Sequence, residues 1–139
     1  MIVLLSDFGM ADGYVAAMKG VIVHTAPGVP ILDATHDIAP QDIAGGAWAL
    51  ANYLPYYPAG TVHVAVVDPG VGTGRSLVLV EAGGQRVLAP DNGLVSIWLG
   101  GVEAYQVWTL RPDWHRPGGA SATFHGRDIL AYAAALLAA

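Results

Sequence analysis

Four apolar segments of the chain each end in an aspartate. They are IVLLSD, VPILD, VHVAVVD and RVLAPD, which end in Asp7, Asp33, Asp68 and Asp91. Asp is a poor helix former that favours the turns after strands, and open α/β sheets bind ligands at the carboxyl ends of their strands. The pattern therefore predicts a site for a polar, partly cationic small molecule, although turn formation or helix capping explains any single Asp.

A glycine-rich segment, DPGVGTGR, follows the third of these runs and places Asp68 and Arg75 on either side of three glycines. The segment lacks the Lys and Ser/Thr of a P-loop and does not match G-x-G-x-x-G, so a phosphate cradle is disfavoured. We expect the glycines to let the loop fold back and bring Arg75 to Asp68. A carboxylate beside a guanidinium stays ionised in one orientation; the alternative is an ion pair that only fixes the loop.

Further polar residues are candidates for proton transfer and nucleoside binding. His125 lies in TFHGRD, just ahead of a predicted helix, and His is the side chain most often used for proton transfer near neutral pH. Asp7, at the tip of the first strand, suits two adjacent ribose hydroxyls, since each can donate to its carboxylate. In PDNG, Asn92 favours a turn and could equally hydrogen-bond a nucleoside.

A metal site is the competing interpretation for another cluster, in DATHD. His36 has Asp33 and Asp37 as neighbours, a set that a metal-dependent amidohydrolase would use. No H-x-H or H-x₃-H spacing supports this alternative.

Periodicity predicts that strands alternate with helices, so the fold class is α/β: a mostly parallel sheet flanked by helices, with one inserted hairpin at Gly83-Gly84. Asp12 is a candidate N-cap of the first helix. The predicted strands are Ile2–Ser6, Pro30–Leu32, Thr61–Val67, Leu77–Glu81, Arg86–Leu88 and Glu103–Leu110. The first predicted helix begins at Asp12, and the three later helices are Ile43–Leu54, Leu94–Leu99 and Asp128–Ala139.

Composition narrows the class of protein. The 139 residues are 54% hydrophobic and 12% charged, which fits one domain with a real core. One Lys and five scattered Arg give no basic face for nucleic acid, and no Cys is present for disulfides or thiolate sites. The longest apolar run, Ile129–Ala139, is too short to span a bilayer.

With no basic n-region at Met1 we expect a cytoplasmic protein. The last helix has no polar face, so we expect another chain or domain to cover part of it.

Five blocks of sequence carry a resemblance to a known family. They are SDFGMADGYVAAMKGVI, ILDATHDIAPQDIAGGAWAL, YYPAGTVHVAVVDPGVGTGR, APDNGL and TFHGRDIL. In this order and spacing they resemble the N-terminal domain of the S-adenosyl-L-methionine hydroxide adenosyltransferase family, the SAM hydrolases related to fluorinases and chlorinases. The resemblance covers essentially the whole chain, 1–139.

The resemblance implies a reaction. Water or hydroxide attacks the ribose C5′ of S-adenosyl-L-methionine and gives adenosine and L-methionine, with no cofactor. Similar enzymes hold the water with an Asp–Arg–His set that corresponds to Asp68, Arg75 and His125. The halogenases do not retain this set and have a Tyr at the Asp position, so the resemblance implies hydroxide rather than halide as nucleophile.

The resemblance also implies substrate contacts and partners. Asp7 would bind the ribose hydroxyls and Asp12 the methionine ammonium. Family members continue into a β-rich C-terminal domain, absent from this chain, that packs on a neighbour in a homotrimer. That domain is expected in the full-length protein or on a second chain. The other residues expected to contact substrate are Phe8, Asn92, Thr123, Phe124 and Gly126.

A second interpretation belongs to a different functional class. In this interpretation, a domain without its C-terminal partner is a nucleoside- or SAM-binding or assembly module with little turnover. Saturable nucleoside binding without product would distinguish this module from a hydrolase.

Overall fold

The β-branched and apolar runs of the chain form one six-stranded sheet. In the computed structural model, which describes residues 1–139, the strands alternate with helices along most of the chain, as predicted. The elements are β1 (Ile2–Ser6), α1 (Tyr14–Thr25), β2 (Ile31–Thr35), α2 (Ile43–Tyr53), β3 (Val62–Val66), β4 (Leu77–Ala82), β5 (Gln85–Pro90), α3 (Ser96–Leu99), β6 (Gln106–Thr109) and α4 (Tyr132–Ala138), with 3₁₀ turns at Leu54–Tyr56 and Pro112–Trp114 and a π-helical segment at Gly126–Ala131.

The strand order in the sheet is β2-β1-β3-β5-β4-β6. Strands β1, β2, β3 and β5 are parallel, while β4 is antiparallel to both β5 and β6. The expected α/β fold, with a largely parallel sheet and one inserted hairpin, is confirmed. Because the parallel strands point the same way, the loops that follow β1 and β3 emerge at one edge of the sheet.

Helices cover both faces of the sheet, which gives two cores. Alternate residues of β3 point to opposite faces: Val64 packs with α1 and the C-terminal helix, whereas Ala65 packs with α2 and α3. Leu4 of β1 and Met18 of α1 are fully buried in the first core. The two apolar layers hold the central strands rigidly and so fix the points at which their loops leave the sheet.

The first two helices begin differently from each other. Asp12 does not cap α1, because Gly13 occupies the N-cap position and no side chain bonds to the helix there; that prediction was wrong. Asp42 caps α2 and accepts a hydrogen bond from Gly45 N at 2.9 Å. Since Asp12 lies one residue before the N-cap and is exposed, its carboxylate is free of the helix.

The C-terminal helix corrects another expectation. It begins at Gly126, two residues before the predicted start, with a π-helical segment. Its residues from Ile129 to Ala135 are almost all buried against β1, β3 and α1 of the same chain, while Leu136 is 41% exposed. The apolar circumference of this helix is therefore covered mainly from within the domain and does not by itself require an oligomer. None of the helices has the length and apolar character needed to cross a bilayer.

Candidate active site

The glycine-rich loop after β3 brings Arg75 back to Asp68, as predicted. Arg75 Nε donates to both carboxylate oxygens of Asp68, at 3.0 and 3.1 Å, and Nη2 donates to Oδ2. The two side chains are only 5% and 12% exposed, Asp68 and Arg75 respectively. A bidentate pair in so little solvent fixes both groups in one orientation.

Gly72 explains how this loop reaches its place. Its φ of +77° lies in the left-handed region that glycine tolerates best. A side chain there would collide with the carbonyl oxygen of Ala122. The loop after β3 therefore packs directly on the segment before the C-terminal helix, which carries His125.

His125 completes a three-residue chain. Arg75 Nη2 donates to His125 Nδ1 at 2.8 Å. Burial lowers the pKa of His125, and the positive charge of Arg75 lowers it further against the opposing effect of Asp68. The imidazole is thus neutral near pH 7, and because Nδ1 accepts from Arg75, its proton is on Nε2. One guanidinium thereby orients both a carboxylate and an imidazole.

Asp68 and His125 line a pocket of about 290 Å³ at the carboxyl edge of the sheet, and Asp7 lines it as well. Arg75 does not line this pocket, but its hydrogen bonds hold Asp68 and His125 in the wall. The remaining lining residues are Phe8, Pro40, Gln41, Val66, Val71, Thr123, Phe124 and Gly126. The structure therefore brings eight of the ten sequence-predicted site residues to one place, seven in the pocket wall and Arg75 bonded to two of them. Asp12 and Asn92 are the two that lie elsewhere.

Asp7 has a main-chain partner that the sequence did not indicate. Gln41 N donates to Asp7 Oδ2 at 2.7 Å, and Gln41 also lines the pocket. Its φ of +64° makes Gln41 the one non-glycine residue in the left-handed region. Such conformations cost energy and concentrate at functional sites. The strained turn aims an N–H at the carboxylate that faces the pocket.

Three aromatic rings form one side of the site. Phe8, Tyr14 and Phe124 contact each other with ring centroids 5.0–6.0 Å apart. Arg127 lies over the Phe124 ring at 4.7 Å from its centroid. Gly126 packs against Phe8, since a Cβ there would lie 3.5 Å from the Phe8 ring. The sequence analysis missed Tyr14, which meets Phe124 only in the folded chain. It also missed Arg127, although that residue lies only three positions after Phe124.

Asp128 anchors the segment that carries Phe124 and His125. It is 1% exposed, accepts from Ser121 N at 2.8 Å and receives two bonds from Arg127 at 2.7 and 2.9 Å. The hydrogen bond from Arg127 is the main cause of its pKa lying below the ordinary value, although burial opposes this. An ionised, buried carboxylate thus ties the loop to the start of the helix.

Two predicted substrate contacts lie away from the pocket. Asp12 is exposed and is not among the lining residues. Asn92 uses its side chain within the fold: it donates to Val67 O at 2.8 Å and accepts from Leu94 N at 3.2 Å. A role for either in binding substrate stays a prediction.

The residues of the alternative metal site, His36, Asp33 and Asp37, do not converge on one point as metal ligands would. His36 is bonded to Ser6 and Asp33, and Asp33 is bonded to Lys19. No group of three or more His, Asp or Glu side chains is arranged to hold a metal ion. The structure thus gives the amidohydrolase interpretation no ligand set.

A larger groove of about 670 Å³ lies at the opposite edge of the sheet, beside the β4–β5 turn. Its charged residues, Glu81 and Arg86, pair with each other at 3.1 Å. No histidine or aspartate lines it. The smaller pocket at Asp68 is therefore the candidate active site.

Comparison with known proteins identifies the family. The family model described as the SAM hydroxide adenosyltransferase N-terminal domain matches residues 2–139. The chain belongs to this family. The resemblance seen in the five sequence blocks is thereby confirmed.

Relatives in the SAM hydroxide adenosyltransferase family include both hydrolases and fluorinases. The chain is 49% identical over 136 residues to a protein from Salinispora arenicola named (R)-S-adenosyl-L-methionine hydrolase, covering 96% of this chain and 51% of that protein. It is 31% identical to a fluorinase from an Actinoplanes species, covering 100% of this chain and 54% of the fluorinase. The chain spans about half the length of the curated relatives it matches.

A solved structure supports the fold of this family domain. A crystal structure of an uncharacterized conserved protein from Thermotoga maritima superposes with a TM-score of 0.93 at 34% identity. The match covers 99% of this chain and 53% of that one.

Proposed function

We propose that this domain catalyses hydrolysis of S-adenosyl-L-methionine to adenosine and L-methionine by attack of water at the ribose C5′. The observation that carries the proposal is the Asp68–Arg75–His125 chain on the wall of a pocket that also contains Asp7. The name of the Salinispora arenicola relative supports the substrate, since it is a SAM hydrolase.

The protonation states suggest how a water molecule is held. His125 carries its proton on Nε2 and can donate to the water oxygen, while the Asp68 carboxylate can accept a water proton. These two bonds leave one oxygen lone pair free to attack C5′. In this proposal Arg75 contacts neither substrate nor water, because it does not line the pocket. Its hydrogen bonds keep Asp68 and His125 in position.

The leaving group requires no acid. As the water oxygen bonds to C5′, the C5′–S bond breaks, its electron pair goes to sulfur and the sulfonium becomes a neutral thioether. The water proton passes to Asp68 and then to solvent. Catalysis therefore depends on orientation of the water and on exclusion of bulk solvent.

The other wall of the pocket suits the nucleoside. The Asp7 carboxylate can accept from both ribose hydroxyls, and the Gln41 N–H already holds one of its oxygens at 2.7 Å. Phe8 and Phe124 offer apolar ring surface. We assign Thr123 and Gly126, which also line the pocket, to the region of the reacting carbon. We also assign Asp12 to the methionine ammonium and Asn92 to the nucleoside, although neither lines the pocket.

The chain's coverage of its relatives bears on activity. Because it spans about half of their length, we propose that residues 1–139 form the N-terminal domain of an enzyme. The enzyme would be completed by a β-rich C-terminal domain, on the same or a second chain, in a homotrimer. The alternative is that the domain alone binds the nucleoside or SAM with little turnover, and the same incomplete coverage favours it.

One experiment separates these functions. The purified chain is incubated with SAM in ¹⁸O-labelled water, with and without the C-terminal half of the Salinispora arenicola relative, and the products are analysed by mass spectrometry. Adenosine labelled at its 5′-hydroxyl supports attack at C5′. Saturable adenosine binding without product under both conditions supports the binding module, and unlabelled or different products exclude the proposed reaction.

A further inference from the structure

A chain of polar side chains lies beneath the end of β1, outside the pocket. Ser6 Oγ is 2.6 Å from His36 Nδ1, His36 Nε2 is 2.9 Å from Asp33 Oδ1, and Asp33 Oδ2 is 2.6 Å from Lys19 Nζ. Ser6 is fully buried and His36 is 5% exposed, whereas Lys19 and Asp33 are about one-third exposed. The chain thus runs from the surface to the residue directly before Asp7.

The order Ser–His–Asp is that of a nucleophilic triad, but this arrangement cannot act as one. Ser6 has no exposed surface, and neither Ser6 nor His36 lines the pocket. A nucleophilic serine must reach its substrate. The burial of Ser6 therefore excludes a nucleophilic role. The role of these hydrogen-bonded side chains must lie in the part of the structure that they hold in place.

Donors and acceptors assign a direction to every bond. Burial acts to raise the pKa of Asp33, but the hydrogen bonds from Lys19 and His36 outweigh it, so the carboxylate is ionised and can only accept. His36 Nε2 therefore donates to Asp33. In the neutral imidazole this leaves Nδ1 as the acceptor for the Ser6 hydroxyl. The Ser6 oxygen in turn accepts from Phe8 N at 3.2 Å.

His36 holds the same loop a second time. Its carbonyl oxygen accepts from Gly9 N at 2.8 Å. The residues on both sides of Asp7 are thus tied, directly or through Ser6, to one histidine. Between these ties, Asp7 and Phe8 face the pocket.

We propose that Ser6 and His36 are positioning residues that hold Asp7 and Phe8 in the geometry that binds the adenosyl group. The inference rests on the proposed function, in which Asp7 and Phe8 contact the substrate. It adds residues that touch no substrate and act through the loop after β1. Lys19 and Asp33 complete the chain by keeping His36 in the tautomer that accepts from Ser6.

The test compares adenosine binding by three serine variants, measured by calorimetry at a temperature at which each is folded. Ser6→Ala removes the acceptor for Phe8 N–H and the donor to His36, and we expect the adenosine Kd to rise about tenfold, the effect of one lost hydrogen bond. Ser6→Thr keeps the hydroxyl and should restore the parent Kd within about twofold. Ser96→Ala is the control, because Ser96 is exposed at the start of α3.

The Kd separates positioning from stability. A purely structural serine would lower the melting temperature and leave the Kd of the folded protein unchanged. That result in Ser6→Ala overturns the inference without touching the proposed function, provided that the parent chain binds adenosine. A different result counts against the proposed function instead. In that result the parent protein neither binds adenosine nor releases it from SAM, whether alone or supplied with a C-terminal half.

A second measurement uses the unliganded parent chain and remains decisive if Ser6→Ala does not fold. The ¹⁵N shifts of the His36 imidazole report which nitrogen carries the proton. We expect protonation at Nε2, with slow hydrogen exchange at the Phe8 amide that Ser6→Thr preserves. A proton on Nδ1, or a Phe8 amide that exchanges as fast as an open loop, would contradict the inference.

Discussion

Replacing Asp68 by Asn tests the centre of the proposed mechanism. The substitution keeps the size of the side chain but removes the charge that pairs with Arg75 and accepts the water proton. Asparagine presents one oxygen, so it retains one acceptor for the guanidinium and loses the bidentate pair. The effects on turnover, binding and stability then differ enough to be measured separately.

The size of each effect follows from the geometry. Loss of a positioned acid–base group costs about 10²–10⁴ in rate, so we expect kcat for adenosine release to fall in that range. Affinity for adenosine should change little, because Asp68 is assigned to the water and not to the nucleoside. The 5% and 12% exposure of Asp68 and Arg75 makes theirs a buried pair. We therefore expect a loss of about 3 kcal/mol in the free energy of unfolding, the lower end for breaking such a pair.

The chain contains a matched control for this substitution. Asp113→Asn makes the same change in another Asp–Arg pair, in which Arg111 and Asp113 are 74% and 59% exposed. Surface pairs contribute little, so this variant should keep the turnover and urea midpoint of the parent. The assays are adenosine release followed by chromatography, with the C-terminal half supplied where the chain needs it, and urea unfolding. Turnover within about threefold of the parent in Asp68→Asn would remove Asp68 from the proposed mechanism.

Three further perturbations test other parts of the site. Asp7→Ala should weaken adenosine binding by about 2–3 kcal/mol through the loss of charge-assisted hydrogen bonds; calorimetry measures this, and equal loss in the exposed Asp12→Ala control would contradict it. Chloride or fluoride should not replace water, because an anion beside the Asp68 carboxylate is repelled at close range; a 5′-halo-adenosine detected by mass spectrometry at high halide would refute this. Burial lowers the pKa of His63 and of His125, so the unfolded chain takes up protons first as pH falls below about 6.5. The contribution of these two histidines to the free energy of unfolding should therefore be fully present above that pH and decrease as the pH falls below it. A urea midpoint that rises when the pH is lowered from 7 to 5.5 would contradict this expectation.

The sequence predicted those parts of the site that are local in the chain. Asp68 and Arg75 are seven residues apart across three glycines, so their approach could be inferred from loop chemistry alone. The strands were found because their apolar, β-branched runs are strong local signals. Element ends were less accurate: β2 continues to Thr35, three residues past the predicted end, because pairing with β1 extends it.

The remaining parts depend on contacts between distant segments. His125 is fifty residues from Arg75, and only the family resemblance joined them before the structure did. Nothing in the composition near Ser6 indicates that its hydroxyl meets His36, thirty residues away. The prediction that another chain or domain must cover the final helix was made from its apolar circumference alone, without knowledge of what packs against it. In the structure, α1 and the central strands cover most of this helix.

The left-handed turn at Gln41 has a consequence for how this site is studied. The group that meets Asp7 there is a main-chain N–H, which every amino acid except proline supplies. Substituting the side chain by alanine would leave the contact in place, so a conventional mutational scan would score position 41 as unimportant. An ester in place of the peptide bond at this position removes the N–H alone. Part of the machinery around the ribose-binding carboxylate is thus carried by the backbone, where sequence variation can neither reveal nor easily erase it.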